Sequence, residues 1–288
     1  MIKIQNLSKS FSNKKVIEGL NVTIEEGEIF GLVGINGSGK STLLRLISGV
    51  YKADEGSILI DGEEVYENED VKSKIFFLPD EPFYDHNTTP LSLIDFYDTF
   101  YGVDKDIYIN NLIKYQLPLS KGLKNFSKGM KRQVFICLAL AIKPKYLLLD
   151  EAFDGLDPLA RLAFKKELKT LLEEKKTTLI VSSHSLKELN DFCTSYGIID
   201  NMKIISNADI VDEKEKLHKY QFVVEDEIKD LDAIRISNVG RVVNVITYDD
   251  LKTFEEKINK YKPLFIEEID VSFEDLFLIE VESKGYLG

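Results

Sequence analysis

The sequence has few cysteines and no long hydrophobic run. Its two cysteines, Cys137 and Cys193, do not show the spacing of a metal site. Cys137 lies in the apolar run 134–142, so we expect a buried, reduced thiol, as is usual in the cytosol. This run is the longest of its kind and is far shorter than the roughly 20 residues that cross a bilayer. The amino terminus also lacks the basic and apolar regions of a signal peptide. The sequence therefore predicts a protein that would reach a membrane only by docking.

Positive charge is in the minority. The chain has 37 lysines and arginines against 49 aspartates and glutamates, a formal net charge of −12. A nucleic acid backbone is bound through clustered lysine and arginine, so nucleic acid is not expected as the main partner. Hydrophobic residues make up 44% of the 288 residues, an ordinary proportion for a soluble protein. This length can hold one large domain and a smaller appendix.

The most specific pattern is GINGSGKST at residues 34–42, which fits G-x-x-x-x-G-K-[ST]. A short apolar strand precedes it and a helix follows, so the helix N-terminus would face an anion. The glycines let backbone N–H groups approach phosphate oxygens, the lysine can reach the β- and γ-phosphates, and the serine hydroxyl can ligate Mg²⁺. The pattern predicts binding of a nucleoside triphosphate. The residues expected at the nucleotide are Asn36, Gly37, Ser38, Gly39, Lys40, Ser41 and Thr42.

A second pattern is an apolar run, 146–149, that ends in Asp150 and Glu151. It has the form of a buried parallel strand that leads into a site. Asp150 would hold Mg²⁺ through water, and Glu151 would polarise the attacking water. A strand that ends in a solvated acidic turn is the alternative, and the phosphate loop makes it less favoured.

Three further motifs follow in a fixed order: FSKGM at 126–130, DGLD at 154–157 and SSH at 182–184. Together with the phosphate loop and the acidic pair, they make residues 1–205 resemble the ATP-binding cassette family. The resemblance implies an α/β fold of the P-loop NTPase cassette type, with a parallel core sheet, an antiparallel β subdomain and a helical subdomain at about 85–143. It places the cassette in residues 1–210.

The family forms a head-to-tail dimer, in which two ATP molecules lie between the phosphate loop of one copy and the FSKGM signature of the other. The resemblance therefore implies that Ser127 and Gly129 face the γ-phosphate, that Asp157 lies at the same interface, that His184 contacts the γ-phosphate and that Phe11 stacks on adenine. Each has an alternative. Ser127 and Asp157 could simply cap helices, His184 could lie in a turn before a capping box at 185–188, and Phe11 could be core.

Two departures from the family pattern bear on the chemistry. Asp80 stands where the family usually carries a glutamine that senses Mg²⁺ and the attacking water. Its carboxylate only accepts hydrogen bonds, and it attracts the metal but repels the γ-phosphate. Lys128 and Met130 replace a glycine and a glutamine of the signature. These changes leave the rate of hydrolysis undetermined. The sequence SKGM at 127–130 resembles the signature of drug and bacteriocin exporter cassettes. The expected metal-binding residues are Ser41, Asp80 and Asp150, and the expected catalytic residues are Lys40, Glu151 and His184.

The helical zone carries an aromatic set: Phe83, Tyr84, Phe96, Tyr97, Phe100 and Tyr101. In the family this zone receives a short helix from the membrane partner. We predict that Phe96 and Phe100 belong instead to the helix core. The tail, residues 211–288, begins with a charged linker at 212–216 and then shows strand-like runs at 220–224, 241–248 and 264–271 and a helix-like run at 249–260. This pattern predicts a small α/β domain.

The combined prediction is the ATP-binding and ATP-hydrolysing subunit of a transporter of the export type. It would use ATP and Mg²⁺, form a homodimer or pair with a related cassette, and drive a separate integral membrane permease from the cytoplasmic face of the cell membrane. Two alternatives stay open: a soluble cassette ATPase without a transport role, and a nearly inert module that is gated by nucleotide.

Overall fold

The computed structural model of the chain describes residues 1–12, 14–184, 186–189, 192–200, 202–209, 216–224, 228 and 231–283. Ser185, at the start of the predicted capping box, and residues 212–215 of the predicted linker lie outside this set. The chain divides into two compact units, Met1–Asn207 and Ala208–Gly288.

The first unit opens with a four-stranded antiparallel sheet. Its strands are β1 (Ile2–Phe11), β2 (Lys14–Ile24), β4 (Glu55–Ile60) and β5 (Glu63–Glu64), in the order β2-β1-β4-β5. Asp61 and Gly62 form the hairpin turn between β4 and β5. Both residues have left-handed φ angles, 54° and 86°, as the tight turn between twisted strands requires.

This hairpin is tied to the main sheet through Asp61. The carboxylate accepts hydrogen bonds from the Tyr146 hydroxyl at 2.6 Å and from Lys145 at 3.0 Å. Burial acts to raise the pKa of Asp61, but these hydrogen bonds outweigh it and lower the pKa to about 2. The ionised carboxylate is therefore the form that the fold stabilises.

The centre of the first unit is a six-stranded sheet. Its strands are β3 (Ile29–Val33), β6 (Ile75–Leu78), β7 (Tyr146–Asp150), β8 (Thr178–Ser183), β9 (Ser195–Asp200) and β10 (Lys203–Asp209), in the order β10-β9-β3-β8-β7-β6. From β9 to β6 each strand pairs in parallel with its neighbour. Strands β3, β7 and β8 are buried along their whole length, which explains their continuous apolar runs. Parallel pairing brings the segments that follow β3, β6, β7 and β8 to one edge of the sheet.

The helices of this unit are α1 (Lys40–Ile47), α2 (Glu69–Lys72), α3 (Pro90–Tyr101), α4 (Lys105–Lys114), α5 (Lys128–Ile142), α6 (Pro158–Lys175) and α7 (Leu186–Leu189). The apolar run 134–142 is buried in α5, as predicted. Its Cys137 is a free, buried cysteine, and burial raises the pKa of the thiol. Among the described residues, none of the helices combines the length and the hydrophobicity that a bilayer crossing requires.

The prediction that Phe96 and Phe100 are helix core is wrong. Their side chains lie on the outer side of α3, 60% and 61% exposed. The inner side of α3 is taken by Leu93, Ile94 and the half-buried Tyr97, whose ring contacts Phe76 edge-on. Because a helix turns 100° per residue, positions 96 and 100 lie about 40° apart on one stripe, which runs beside the inner side of the helix.

Within the described residues, the second unit contains a four-stranded antiparallel sheet and two α-helices. Its elements are β11 (His218–Val223), β12 (Arg235–Val239), β13 (Val242–Thr247), α8 (Leu251–Ile258), β14 (Ile266–Ile269) and α9 (Phe273–Ser283), and the strand order is β12-β13-β11-β14. Phe254 and Ile258 of α8 pack on Tyr220, Phe222 and Val245 of the sheet. The three strands and the helix predicted for the tail are present, and β12 and α9 add to them.

Candidate functional site

The phosphate loop connects β3 to α1 at the carboxyl edge of the parallel sheet. Gly37 and Gly39 have φ angles of 83° and 111°, a conformation that glycine adopts without steric cost. Gly39 is the N-cap of α1 and has no side chain to cap the helix. The amide groups of Lys40, Ser41 and Thr42, the first three residues of α1, are therefore available to an anion.

Lys40 is almost completely buried, with 5% of its surface exposed. Its Nζ donates hydrogen bonds to the carbonyls of Gly34 at 2.7 Å and Ile35 at 3.3 Å, and it lies 3.5 Å from Glu151 Oε1. The Ser38 hydroxyl is buried without a hydrogen-bond partner in the part of the chain that the structure describes. A phosphate group could satisfy both side chains, because it supplies charge and several acceptors.

Asp150 ends β7 and is fully buried. Its Oδ1 accepts a hydrogen bond from the Ser182 hydroxyl at 2.7 Å, and the same hydroxyl accepts one from the Glu151 amide at 3.0 Å. Within the described residues, Asp150 Oδ2 has no hydrogen-bond partner. A buried carboxylate oxygen without a partner is costly unless a cation or water fills the place, so Asp150 fits the role of a metal-binding residue.

The remaining metal ligands would come mainly from the nucleotide. No group of three or more His, Cys, Asp or Glu side chains that could hold a metal ion is found among the described residues. Mg²⁺ commonly binds through one or two carboxylates together with substrate phosphates and water. The oxygen donors of Asp150 and Ser41 suit such a shared site.

Glu151 links the phosphate loop to the end of β8. Its backbone is left-handed, with φ 49°, which is uncommon for a residue other than glycine. Its Oε2 lies 2.9 Å from Nδ1 of His184, and it also accepts a hydrogen bond from the His184 amide at 3.3 Å. Because a carboxylate accepts, this contact places a proton on Nδ1. Glu151 is therefore held in one orientation between a lysine and a histidine.

Asp80 follows β6 and is placed beside Asp150 by the pairing of Leu78 with Leu149. Its Oδ1 accepts a hydrogen bond from Arg132 Nη2 at 2.6 Å and lies 3.4 Å from Lys128 Nζ. The sequence reasoning missed Arg132, although its place near the start of a strongly apolar helix is a signal of burial. It also missed Ser182, which orients both Asp150 and Glu151.

The signature residues Ser127 and Gly129 lie at the N-terminus of α5. Ser127 is the N-cap, and its hydroxyl accepts a hydrogen bond from the Met130 amide at 3.1 Å. A Cβ on Gly129 would come within 2.5 Å of the Gly155 carbonyl oxygen, so a side chain there would push the two loops apart. The capping alternative thus holds for Ser127, and its contact with nucleotide stays a prediction.

Two further predicted nucleotide contacts are Asp157 and Phe11. Asp157 is the N-cap of α6, and its Oδ1 accepts from the amides of Leu159 and Ala160; its nucleotide contact stays a prediction. Phe11 ends β1 and is 41% exposed, so the core alternative is wrong for this ring. It contacts Tyr51 edge-on with 5.3 Å between ring centroids. Stacking on adenine stays a prediction. Asn36 is exposed in the phosphate loop.

Comparison with known proteins agrees with this geometry. The family model described as ABC transporter matches residues 17–154. The ABC transporter ATP-binding protein YtrB of Bacillus subtilis (strain 168) is 33% identical over 292 residues, which cover 99% of this chain and 99% of that protein. The lantibiotic transport ATP-binding protein SrtF of Streptococcus pyogenes is 33% identical over 71% of this chain and 89% of that protein.

A solved structure shares the fold of the first unit. The dimeric, post-hydrolysis state of the ATP-binding cassette MJ0796, bound to ADP and Pi, matches with a TM-score of 0.65 and 23% identity, over 73% of this chain and 99% of that one. At this identity the likeness shows the P-loop fold of an ABC cassette. Together with the relatives, it shows that the chain belongs to the ABC transporter family, as one of its ATP-binding, ATP-hydrolysing subunits.

Proposed function

We propose that the chain is the ATP-hydrolysing subunit of an exporter. Two copies close around two ATP molecules with Mg²⁺ and drive a separate permease in the cell membrane. One observation carries the proposal. Lys40, Asp150, Glu151 and His184, which come from three separate segments, form one connected cluster at the carboxyl edge of the parallel sheet. This cluster provides a cation for phosphate, an oxygen for metal and a base for water.

Each side chain has a role in the proposed reaction. The amides of α1 and the Lys40 ammonium bind the β- and γ-phosphates, which requires Lys40 to exchange its carbonyl contacts for phosphate oxygens. Ser41 and Asp150, with Asp80 nearby, would hold Mg²⁺, and the metal would neutralise phosphate charge. Glu151 accepts a proton from the attacking water. His184 keeps Glu151 in place through Nδ1 and would contact the γ-phosphate.

A second copy of the chain completes the site in this proposal. Ser127 already caps α5 as an acceptor, so its hydroxyl proton remains available to a γ-phosphate oxygen from the partner. Gly129 gives the close approach that a phosphate at a helix N-terminus needs. Asp157 would lie at the same interface, and Phe11 would stack on adenine. The MJ0796 cassette, which shares the fold, is dimeric.

An exposed aromatic surface supports docking to a permease. Phe83, Phe96 and Phe100, which we call the aromatic surface, are 86%, 60% and 61% exposed. Two of them border a cavity of about 240 Å³ that Leu93 and Tyr97 also line. Aromatic side chains that stay exposed together are typical of protein interfaces. We propose that a short amphipathic helix of the permease fills this groove, which places the cassette at the inner face of the membrane.

Export is the proposed direction because the SKGM signature resembles exporter cassettes and SrtF is named for lantibiotic transport. The two alternatives predict different behaviour. A soluble cassette ATPase would hydrolyse ATP without a membrane partner, and a nearly inert module would stay slow even with one. Comparing the ATPase rate of the purified chain alone and with its permease separates them.

Docking can be tested by co-purification from membranes. The double variant Phe96→Ser/Phe100→Ser should lose the multi-span partner that a tagged wild-type chain retains, while it still binds ATP. The variant Tyr248→Ser is a matched control, because it removes an aromatic ring that is 70% exposed in the second unit. Equal recovery of the membrane partner with all three proteins would contradict docking through the aromatic surface.

A further inference from the structure

One buried cation at the site has no part in the chemistry described above. Arg132 lies in α5 and is 2% exposed. Its Nη1 donates hydrogen bonds to the carbonyls of Pro79 and Asp150, both at 3.3 Å, and its Nη2 donates to Asp80 Oδ1 at 2.6 Å. The guanidinium therefore joins the ends of β6 and β7, where two of the expected metal-binding carboxylates stand.

A second cation contacts the same carboxylate. Lys128 Nζ lies 3.4 Å from Asp80 Oδ1 and 2.7 Å from Asp154 Oδ2. The Lys128 side chain is 53% exposed, in contrast to the 1% of Arg132. Arg132, Asp80, Lys128 and Asp154 thus form one row of alternating charges. The row connects the segment after β6, the start of α5 and the loop before α6.

This row of charges compensates the negative charge of Asp80. A carboxylate beside a triphosphate would repel it, since two like unit charges about 8 Å apart at a protein site interact by about 2 kcal/mol, using an effective dielectric constant of about 20. A buried guanidinium in direct contact offsets that repulsion much better than solvent can, because it is fixed and poorly screened. Asp80 with Arg132 therefore presents little net charge to the nucleotide.

We propose that Arg132 is a positioning residue for ATP hydrolysis, which neutralises and orients Asp80 beside the metal-bound triphosphate. Lys128 also offsets the negative charge of Asp80. Its effect is weaker, because it is exposed and contacts two carboxylates, those of Asp80 and Asp154. This inference rests on the proposed place of Asp80 at the Mg²⁺ of bound ATP. It connects two of the departures from the family pattern, Asp80 and Lys128, through Arg132.

The test compares ATP affinity with and without the metal. The quantity of interest is the ratio of the ATP dissociation constant in EDTA to that in saturating Mg²⁺, measured by calorimetry. In Arg132→Gln the charge of Asp80 is no longer compensated. It repels ATP in EDTA, which raises that dissociation constant, but it attracts Mg²⁺ when the metal is present. The ratio should therefore rise about ten-fold. Turnover should fall about 10- to 100-fold, as is usual when a partner that orients a metal-binding residue is lost.

The double variant Asp80→Gln/Arg132→Gln should return the ratio and most of the turnover to the wild-type values, because the pair is then neutral. A purely structural role for Arg132 would weaken ATP binding equally with and without Mg²⁺, and that result would overturn the inference. If Asp80→Gln alone leaves the ratio unchanged, the proposed place of Asp80 at the metal is wrong, which is a different failure.

Lys128→Met keeps the test decisive even if Arg132→Gln does not fold. It should raise the ratio in the same direction by a smaller factor. Lys131→Met is the matched control, since it removes the same charge from the same helix, where Lys131 lies over the Tyr84 ring at 5.3 Å. Equal ratios in Lys128→Met, Lys131→Met and the wild type would overturn the inference that nearby cations offset the charge of Asp80.

Discussion

Replacing Glu151 by glutamine tests the centre of the site with the smallest change of shape. The Glu151 side chain is 15% exposed, its Oε1 lies 3.5 Å from Lys40 and its Oε2 lies 2.9 Å from His184. Glutamine keeps one oxygen as an acceptor but removes the negative charge and the ability to take a proton. The substitution leaves the phosphate loop and the Lys40 ammonium unchanged, so ATP binding should be retained.

The expected loss of turnover follows from the role of a positioned general base. Such a group contributes about 10²- to 10⁴-fold, which corresponds to about 3 to 5 kcal/mol of barrier. Phosphate release at saturating ATP and Mg²⁺ measures the turnover, and calorimetry on the same protein measures ATP affinity. We expect the rate to fall by that factor, with the dissociation constant within a few-fold of the wild type.

The control is Glu173→Gln, the same chemical change at an exposed position of α6, which should leave the rate unaltered. Turnover of Glu151→Gln close to the wild-type rate would remove Glu151 from the mechanism. Loss of ATP binding would instead show that the carboxylate serves mainly to hold Lys40 and the phosphate loop in place.

Three further predictions concern binding and stability. Lys40→Ala should abolish ATP binding in calorimetry, because it removes the buried ammonium; unchanged affinity would refute its role. Gly129→Ala places a Cβ 2.5 Å from the Gly155 oxygen, so it should destabilise the fold by about 1–3 kcal/mol in urea unfolding, whereas Gly122→Ala, with no atom closer than 3.8 Å, should not. The pKa of Asp61 is about 2 in the folded chain and about 3.9 when unfolded. Because Asp61 is exposed and solvent screens its contacts, its ionised form stabilises the fold by about 1 kcal/mol above pH 5, and this is lost as the pH falls toward 2. Asp61→Asn should be less stable than the wild type at pH 7, with about half that difference left at pH 3; a difference that does not change with pH would contradict the assignment.

The sequence was most informative where a function needs a local pattern. The phosphate loop is recognisable because the conformations of Gly37 and Gly39 admit few other residues. The strands β3, β7 and β8 could be predicted because a strand buried on both faces must be apolar throughout. Once the parallel order is known, the meeting of Glu151 and His184 at one edge follows from it.

Other features depend on contacts between distant segments. Helix α3 has aromatic residues on both sides, so its periodicity does not tell which of Phe96 and Tyr97 faces the core. Arg132 is buried because β6 brings Asp80 to it from 52 positions away, and no local pattern encodes that pairing. Strand β12 was missed because Ser237 and Asn238 have low strand propensity, which pairing with β13 overrides.

The most direct measurement is the mass in solution of the Glu151→Gln variant by light scattering, with and without saturating ATP and Mg²⁺. One chain has a mass of 32.9 kDa, and we expect nucleotide to shift the mass to about twice that value. Adding Ser127→Phe to the same variant should block the shift while ATP still binds. A mass that stays at 32.9 kDa with nucleotide bound would contradict a site shared between two copies.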